Sequence, residues 1–298
     1  MCIYGTVLAG FLGLLFSSFL NVCASRWPED ESVVKPRSHC RNCSRTLAWW
    51  ENVPLVSWLA LRGRCRTCHA WISWRYPLVE LAVGALWALA AWQFLSAHPV
   101  PDFSNFNYSV EFANGIARMI FLWLLVALAV FDQENLWLPD RLIWPGIGLG
   151  LVLAVTRGSL ETFLYSGGGF ERWWRLTAHA VVLFWFIGAV LAAGVVLAIG
   201  WVYRKIRHQE GIGFGDVKLM AMLGGWIGFK GAMLAFGLGV VAGAAFALLL
   251  LASPSVRASK KNWQSKKLPF GAFICLGGII SALWGQPIIG AYMRWAGF

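Results

Sequence analysis

Charged residues are spaced so widely along this chain that its apolar runs stand out as separate blocks. Cys2 to Ser25 carries no charged side chain, and neither does Leu81 to Pro101, a run entered through Tyr76-Pro77-Leu78. Further apolar segments run from about Phe112 to Phe131, Leu142 to Thr156, Leu176 to Tyr203, Leu219 past Phe229, Leu234 to Ala252, and Leu268 to Met293. A membrane-spanning helix needs about 20 mostly apolar residues, fewer where flanking groups reach the interface. The pattern therefore predicts an all-α polytopic membrane protein of about eight transmembrane helices, with the boundary between the sixth and seventh the least sharply marked. The polar stretch between the first two runs stands apart as a small domain. The expected organisation is helix 1 at 1–25, a polar domain at 26–76, and a bundle of helices 2–8 at 77–298.

Composition agrees. Hydrophobic residues make up 58% of the 298-residue chain and charged residues 13%, whereas soluble domains carry about 25% charged residues. So few charges cannot cover the apolar surface of a soluble enzyme this long. The 19 Trp suit a chain with two membrane–water interfaces, where indole rings concentrate.

The net charge of +11 would suggest a nucleic-acid partner, but its distribution explains it differently. Nine Lys or Arg lie between the first two segments: Arg26, Lys35, Arg37, Arg41, Arg45, Arg62, Arg64, Arg66 and Arg75. The next connection, His98 to Glu111, has none. Basic residues return at Arg204, Lys205 and Arg207, and again at Arg257, Lys260, Lys261, Lys266 and Lys267; Arg157, Arg172 and Arg175 are a mild exception. Basic loops stay in the cytoplasm, so the first loop is expected there and both termini outside, with no nucleic acid required. The first segment lacks the basic n-region of a signal peptide and reads as a permanent helix.

Four of the seven cysteines form two pairs, Cys40-Arg41-Asn42-Cys43 and Cys65-Arg66-Thr67-Cys68. A CxxC turn presents two sulfurs on one side of a knuckle, and two knuckles make a tetrahedral S4 site suited to Zn2+. Nearby Arg41, Arg45, Arg64 and Arg66 favour thiolate, while a reducing compartment disfavours disulfides. With four sulfurs bound, zinc keeps no open position for substrate, so its expected role is structural. His39 and His69 flank the knuckles as alternative ligands or surface residues; Cys2, Cys23 and Cys275 read as packing residues.

Ionisable residues at the edge of a span invite a functional hypothesis. Asp132 closes the third segment and Asp216 opens the sixth, within Gly213-Phe214-Gly215-Asp216-Val217-Lys218. The expected topology puts both at the cytoplasmic boundary. Two carboxyls at a partly dry site do not both ionise easily, and a pair sharing one proton is the acid and base an aspartic protease applies to water. Gly213 and Gly215 allow close backbone approach, by a peptide for example. Taken singly, each aspartate is also explained as a helix-end residue.

The segment Gly213 to Lys218 resembles the GxGD signature of intramembrane aspartyl proteases. Other segments narrow the resemblance to the bacterial type IV prepilin peptidases: Ser18-Phe19-Leu20-Asn21-Val22 with Arg26 and Pro28; Asn52 to Leu59; Leu61-Arg62-Gly63-Arg64-Cys65; Ile72-Ser73; Arg75-Tyr76-Pro77-Leu78-Val79-Glu80; Leu138-Pro139-Asp140; and Leu268-Pro269-Phe270-Gly271. That resemblance implies an inner-membrane endopeptidase acting on type IV prepilins, or on the pseudopilins of type II secretion, and removing a basic leader after a glycine. It also implies, in many members with the cysteine domain, methylation of the new N-terminus from S-adenosylmethionine. Carried over, Asp132 and Asp216 match the catalytic pair, Asp140 a further acidic position, and Cys40, Cys43, Cys65 and Cys68 the metal ligands. The chain departs from the family pattern at Arg41, where a proline often follows the first cysteine, and at Ala272, where a proline usually follows Pro-Phe-Gly. Glu134, Asp140 or Glu210 would attract leader Lys and Arg, unless they are merely solvated interface charges.

Two other classes compete. Intramembrane acids and glycine-interrupted helices also mark transporters, although both aspartates lie near one face and no two-half repeat is visible. A zinc-knuckle scaffold for a membrane assembly would leave the aspartates incidental. A zinc protease lacks HExxH, and serine chemistry lacks a GxSxG elbow.

Overall fold

Inside a bilayer the backbone must satisfy its own hydrogen bonds, and a helix does so within a single segment. The apolar runs accordingly form helices in the computed structural model, which describes residues 2–98, 106–166, 170–209, 211–252 and 268–297, apart from the side chains of 106–107 and 157–179. They are α1 (Cys2–Arg26), the short α2 (Val56–Ala60), α3 (Arg75–Ala97), α4 (Phe106–Asn135), α5 (Asp140–Ser166), α6 (Phe170–Arg207), α7 (Phe214–Ala252) and α8 (Phe270–Trp295). Among the described residues two short 3-10 helices (Trp27–Glu29 and Trp49–Asn52) and isolated β-bridges accompany them. Glu210 and the basic run Arg257 to Lys267 lie outside the described residues, as do the side chains of Arg157, Arg172 and Arg175.

Six of these helices, α1, α3, α4, α6, α7 and α8, are long and apolar enough to cross a membrane. The fourth expected segment lies within α5, and α7 contains both the sixth and the seventh. Gly228 breaks α7 with φ 71° and ψ 170°, a conformation that glycine adopts without strain. Contacts with α8 reveal the result. A Cβ on Gly271 would lie 3.2 Å from Asp216 Oδ1, and one on Gly239 would lie 2.9 Å from Ile274 Cα. In a straight helix residues 216 and 239 stand about 35 Å apart, whereas residues 271 and 274 of α8 are separated by only about 4.5 Å of rise. The two arms of α7 must therefore run in opposite directions, reversing at Gly228. Counting them separately, eight helical arms correspond to the eight expected segments.

The chain divides into two compact units, Met1–Val130 and Phe131–Phe298. In the first, α1 and α3 pair antiparallel. Gly5 meets Leu95, Gly13 meets Gly84, and near the far end Asn21 donates to the Tyr76 carbonyl at 3.1 Å. In the second unit, the first arm of α7 packs antiparallel on α6 and the second arm antiparallel on α8. Lipid is as apolar as leucine, so close packing rather than water exclusion joins such helices. A Cβ on Gly224 would stand 2.2 Å from the Gly188 carbonyl oxygen, and one on Gly277 2.1 Å from that of Ala235. Only hydrogen fits at either position. Ser281 Oγ donates to the Gly231 carbonyl at 2.9 Å, adding one buried hydrogen bond across the second pair.

Candidate functional site

Three helix ends bring the two aspartates together. Asp132 lies four residues before Leu136, whose left-handed backbone (φ 52°) and N–H bonded to the Asp132 carbonyl (2.9 Å) terminate α4. Asp216 is the third residue of α7, where its N–H reaches the Gly213 carbonyl at 3.1 Å. Both aspartates are buried, at 6% and 8% exposure. The third end is the start of α8. Pro269 caps it without a side-chain hydrogen bond, leaving the first-turn N–H groups in need of partners. The N–H of Ala272 donates to Asp132 Oδ2 at 2.7 Å, so a carboxyl from α4 caps α8.

Gly271 separates the carboxyls. A Cβ there would lie 3.1 Å from Asp132 Cγ and Oδ2 and 3.2 Å from Asp216 Oδ1. An oxygen from each aspartate thus presses on the same glycine, where only a hydrogen stands. In the sequence, Gly271 stands in the Pro-Phe-Gly motif with no role of its own and Ala272 is only a departure from the family pattern. A proline at 272 would have no N–H to give, so the departure itself creates the bond to Asp132. The available signal was the unpaired first turn of a helix that begins Pro-Phe-Gly.

The remaining candidate residues make the following local contacts. A Cβ on Gly215 would press to 3.2 Å from Leu138 Cδ1, so its close approach is to the Leu138-Pro139-Asp140 segment of the same chain. Around Gly213 the nearest atom to such a Cβ would be Asp216 Oδ2, at 3.7 Å. Lys218 forms an ion pair with Asp140 and sits over the Phe214 ring, 5.4 Å from its centre. Asp140, expected to be open to a basic leader, is already engaged by a lysine. Cys275 is fully buried, as a packing residue should be.

The first unit holds the cysteine site. Its two knuckles repeat one geometry: Cys40 N–H bonds the Arg45 carbonyl and Cys65 N–H the Ala70 carbonyl, both at 2.9 Å, while Ser44 and His69 turn through φ 55° in each. The four sulfurs lie within 4.8 Å of one another. Cys40 and Cys68 are 3.7 Å apart, close to the roughly 3.8 Å edge of a tetrahedron with 2.3 Å Zn–S bonds and far beyond a disulfide's ~2.05 Å. Backbone N–H groups of Cys68 and Thr67 hold the Cys65 thiol down at about 6. Although the Arg45 N–H favours its thiolate, desolvation and the other three sulfurs push Cys43 up to about 11. Four thiolates this close repel, and a divalent cation at their centre removes the conflict, so the donor set fits a metal. Neither His39 nor His69 belongs to the cluster. Beside it, the Glu51 carboxyl accepts from Arg45 at 2.6 Å and from the Ala48 N–H at 2.7 Å.

Comparison with known proteins covers most of the chain. Residues 11–94 match the family model described as the bacterial peptidase A24 N-terminal domain, and residues 119–248 the type IV leader peptidase family. A prepilin leader peptidase/N-methyltransferase of Stutzerimonas stutzeri is 32% identical over 96% of this chain and 92% of its own length. Proteins with the same description from Pseudomonas aeruginosa (32%; 96% and 93%) and Aeromonas hydrophila (33%; 94% and 91%) are similar over comparable spans. No solved structure matches.

Proposed function

The chain belongs to the type IV leader peptidase family, and from that premise we propose that it is a prepilin leader peptidase and N-methyltransferase of the bacterial inner membrane. Its substrate is a prepilin or pseudopilin whose basic leader stays in the cytoplasm while its hydrophobic helix lies in the bilayer. The scissile bond follows a glycine. The single observation that carries the peptidase reading is the approach of Asp132 and Asp216 to either side of Gly271.

A water between the carboxyls is the nucleophile. One aspartate, ionised, takes a proton as the water oxygen attacks the carbonyl carbon. The other, protonated, gives its proton to the carbonyl oxygen. Collapse of the tetrahedral diol breaks the C–N bond, and the departing amine takes up a proton; no acyl-enzyme forms. Ala272 orients Asp132 through its N–H, and Gly271, without a side chain, lets both carboxyls approach one another.

Cys40, Cys43, Cys65 and Cys68 bind structural Zn2+, which takes no part in cleavage. The expected metal content is one zinc per chain, and chelation should expose the knuckles to protease. For the second activity, S-adenosylmethionine supplies a methyl group carried on a sulfonium centre to the new N-terminal amine. By loop charge, the cysteine domain and both aspartates face the cytoplasm.

The test is cleavage of a model prepilin, with a basic leader ending in glycine, by purified wild-type protein, Asp132→Asn and Asp216→Asn. Both variants should lose cleavage while keeping their fold and zinc. Wild-type cleavage by either variant would refute the two-aspartate mechanism. A wild-type protein inert towards several such substrates would favour the transporter or scaffold reading.

A further inference from the structure

The lipid-facing side of α3 begins one residue before the helix. Trp74, Leu78 and Leu81 are each more than half exposed, and Trp74 already has helical backbone angles (φ −58°, ψ −19°). Their i, i+4, i+7 spacing makes one stripe. The 23 residues of α3 rise about 34 Å, against a hydrocarbon core of about 30 Å. Arg75 and Tyr76 at its start therefore stand at a bilayer surface, and Trp74 with them. Two further rings join Trp74, Trp58 at 4.2 Å and Trp71 at 6.3 Å between ring centres. Trp71 is itself more than half exposed. Indole rings favour the headgroup level, so this aromatic cluster ties the knuckle segment to the membrane surface.

Beside the cluster lies an open cavity of about 530 Å³, whose lining includes Leu61, Arg62, Arg64, Arg66, His69 and Trp71. Trp58 holds this basic turn against the rings. Its Nε1 donates to the Ile72 carbonyl at 3.2 Å, and a Cβ on Gly63 would lie 2.8 Å from its Cζ2. Arg62, Arg64 and Arg66 are all exposed. Residues 52–79 include no Asp or Glu, and the acids that bound them, Glu51 and Glu80, are buried. Arg66 lies over the Trp50 ring, 5.4 Å from its centre, and among the described residues none of the three arginines forms an ion pair with a carboxylate. A zinc held by four thiolates carries roughly two negative charges. Residues 26–76 hold nine Lys or Arg against four Asp or Glu, so the segment stays positive even with that centre in place. Leader cleavage, which rests on Asp132 and Asp216, uses none of these arginines.

We propose that this face of the knuckle segment docks on the cytoplasmic surface of the bilayer, where Arg62, Arg64 and Arg66 hold the headgroup phosphate of an anionic phospholipid in the cavity. Trp71 and Trp74 lie among the headgroups, and the acyl chains join the lipid that faces Leu78 and Leu81. Cytoplasmic leaflets are anionic, and each Lys or Arg brought to such a surface strengthens attraction about fivefold. Arginines without acidic neighbours would suit any phosphate compound. The exposed indoles, continuous with the lipid-facing stripe of α3, select a lipid, since a soluble phosphate has no use for them. The docking takes its side of the membrane from the orientation proposed above and is independent of the aspartate pair.

The test is amide hydrogen exchange of the full-length protein in nanodiscs of phosphatidylcholine alone or mixed with phosphatidylglycerol, read in peptides from residues 56–74. Both leaflets of a nanodisc carry the same lipid, so the outcome does not depend on which way the protein faces, nor on whether it cleaves a leader. Exchange should slow at least about fivefold when phosphatidylglycerol is present, and the difference should disappear in about 1 M NaCl, where charges are screened beyond roughly 3 Å. The double variant Arg62→Gln/Arg64→Gln should lose the lipid-dependent protection while melting with the wild type. Equal exchange of the wild type in the two lipids would overturn the proposal, whatever the variant does. Protection that persists in a folded double variant would remove the arginines from the site. Glycerol 3-phosphate is added to phosphatidylcholine nanodiscs as the soluble control; protection equal to that from phosphatidylglycerol would replace the lipid with a soluble phosphate ligand and overturn the docking.

Discussion

Gly271 offers the sharpest test of the aspartate site because the change is one methyl group and the fold should tolerate it. Alanine at the second residue of α8 needs no unusual backbone, and in a helix it is favoured over glycine by roughly 0.5–1 kcal/mol. The methyl would lie 3.1 Å from Asp132 Oδ2 and 3.2 Å from Asp216 Oδ1, so both carboxyls would have to retreat by a few tenths of an ångström. Catalytic groups must hold their geometry to within about 0.5 Å, and a misplacement of 1 Å costs about a hundredfold. Displacement should therefore lower the rate by about tenfold. The assay is steady-state cleavage of a model prepilin by Gly271→Ala, with a thermal melt of the same sample. The expected result is a kcat about tenfold lower, with KM little changed and a melting temperature at or above wild type. Wild-type kcat in a folded Gly271→Ala protein would refute the reasoning that the approach of both carboxyls to Gly271 sets the catalytic geometry.

Three further outcomes follow from the same geometry. Ala272→Pro removes the donor to Asp132 (2.7 Å) at a first-turn position where helices accept proline. A hydrogen bond of this kind is worth about 0.5–3 kcal/mol, so cleavage should slow by a few-fold to a hundredfold, read as kcat in the same assay; an unchanged kcat would show that the bond does not orient Asp132. Lys218→Met frees Asp140 from its ion pair. An exposed pair adds at most about 1 kcal/mol of stability, so the melt should barely move, while KM for a basic leader should fall at low salt; a KM equal to wild type would remove Asp140 from leader recognition. Arg45 beside Glu51 holds that carboxyl below the usual carboxylate range. A lowered folded-state pKa stabilises above the unfolded value and is lost as pH falls. Protease resistance of the knuckle segment should then decline as pH drops below roughly 4, and in Glu51→Gln this acid-dependent component should be missing.

Much of the fold could be read from hydropathy because bilayer thickness imposes a length on every span. The reading was least sharp at the sixth and seventh segments, and the structure explains why. The first arm of α7 has 14 residues before Gly228, fewer than a full span needs, and Lys230 is the one charge near the reversal in an otherwise apolar run. Hydropathy records burial in lipid but not chain direction. Side chains with chemistry of their own were equally visible: Asp132 and Asp216 as charges at span edges, and the four cysteines by spacing. What sequence left obscure was made by backbone or by partners distant along the chain. Ala272 contributes an N–H, which no residue name advertises. Gly271 contributes the absence of a side chain. Asn21 and Glu80 are distant in sequence and share a buried hydrogen bond only because α1 packs on α3.

The aspartate pair is also held differently from Glu51 and Asp140. Glu51 and Asp140 are each held by a cation, Arg45 and Lys218. Asp216 sits in the first turn of α7, and Asp132 accepts an N–H from the first turn of α8, so the positive ends of two helices face the pair. A helix N-terminus is worth about 0.3–1 kcal/mol to an anion, and up to about 2 in a partly buried setting. Breaking a buried ion pair costs 3–5 kcal/mol. A lysine bonded to either aspartate would fix one charge state and prevent the proton exchange that peptide hydrolysis requires. Helix ends soften the desolvation of a shared negative charge without committing it to one residue, and they leave both carboxyls free to give and receive a proton across the gap at Gly271.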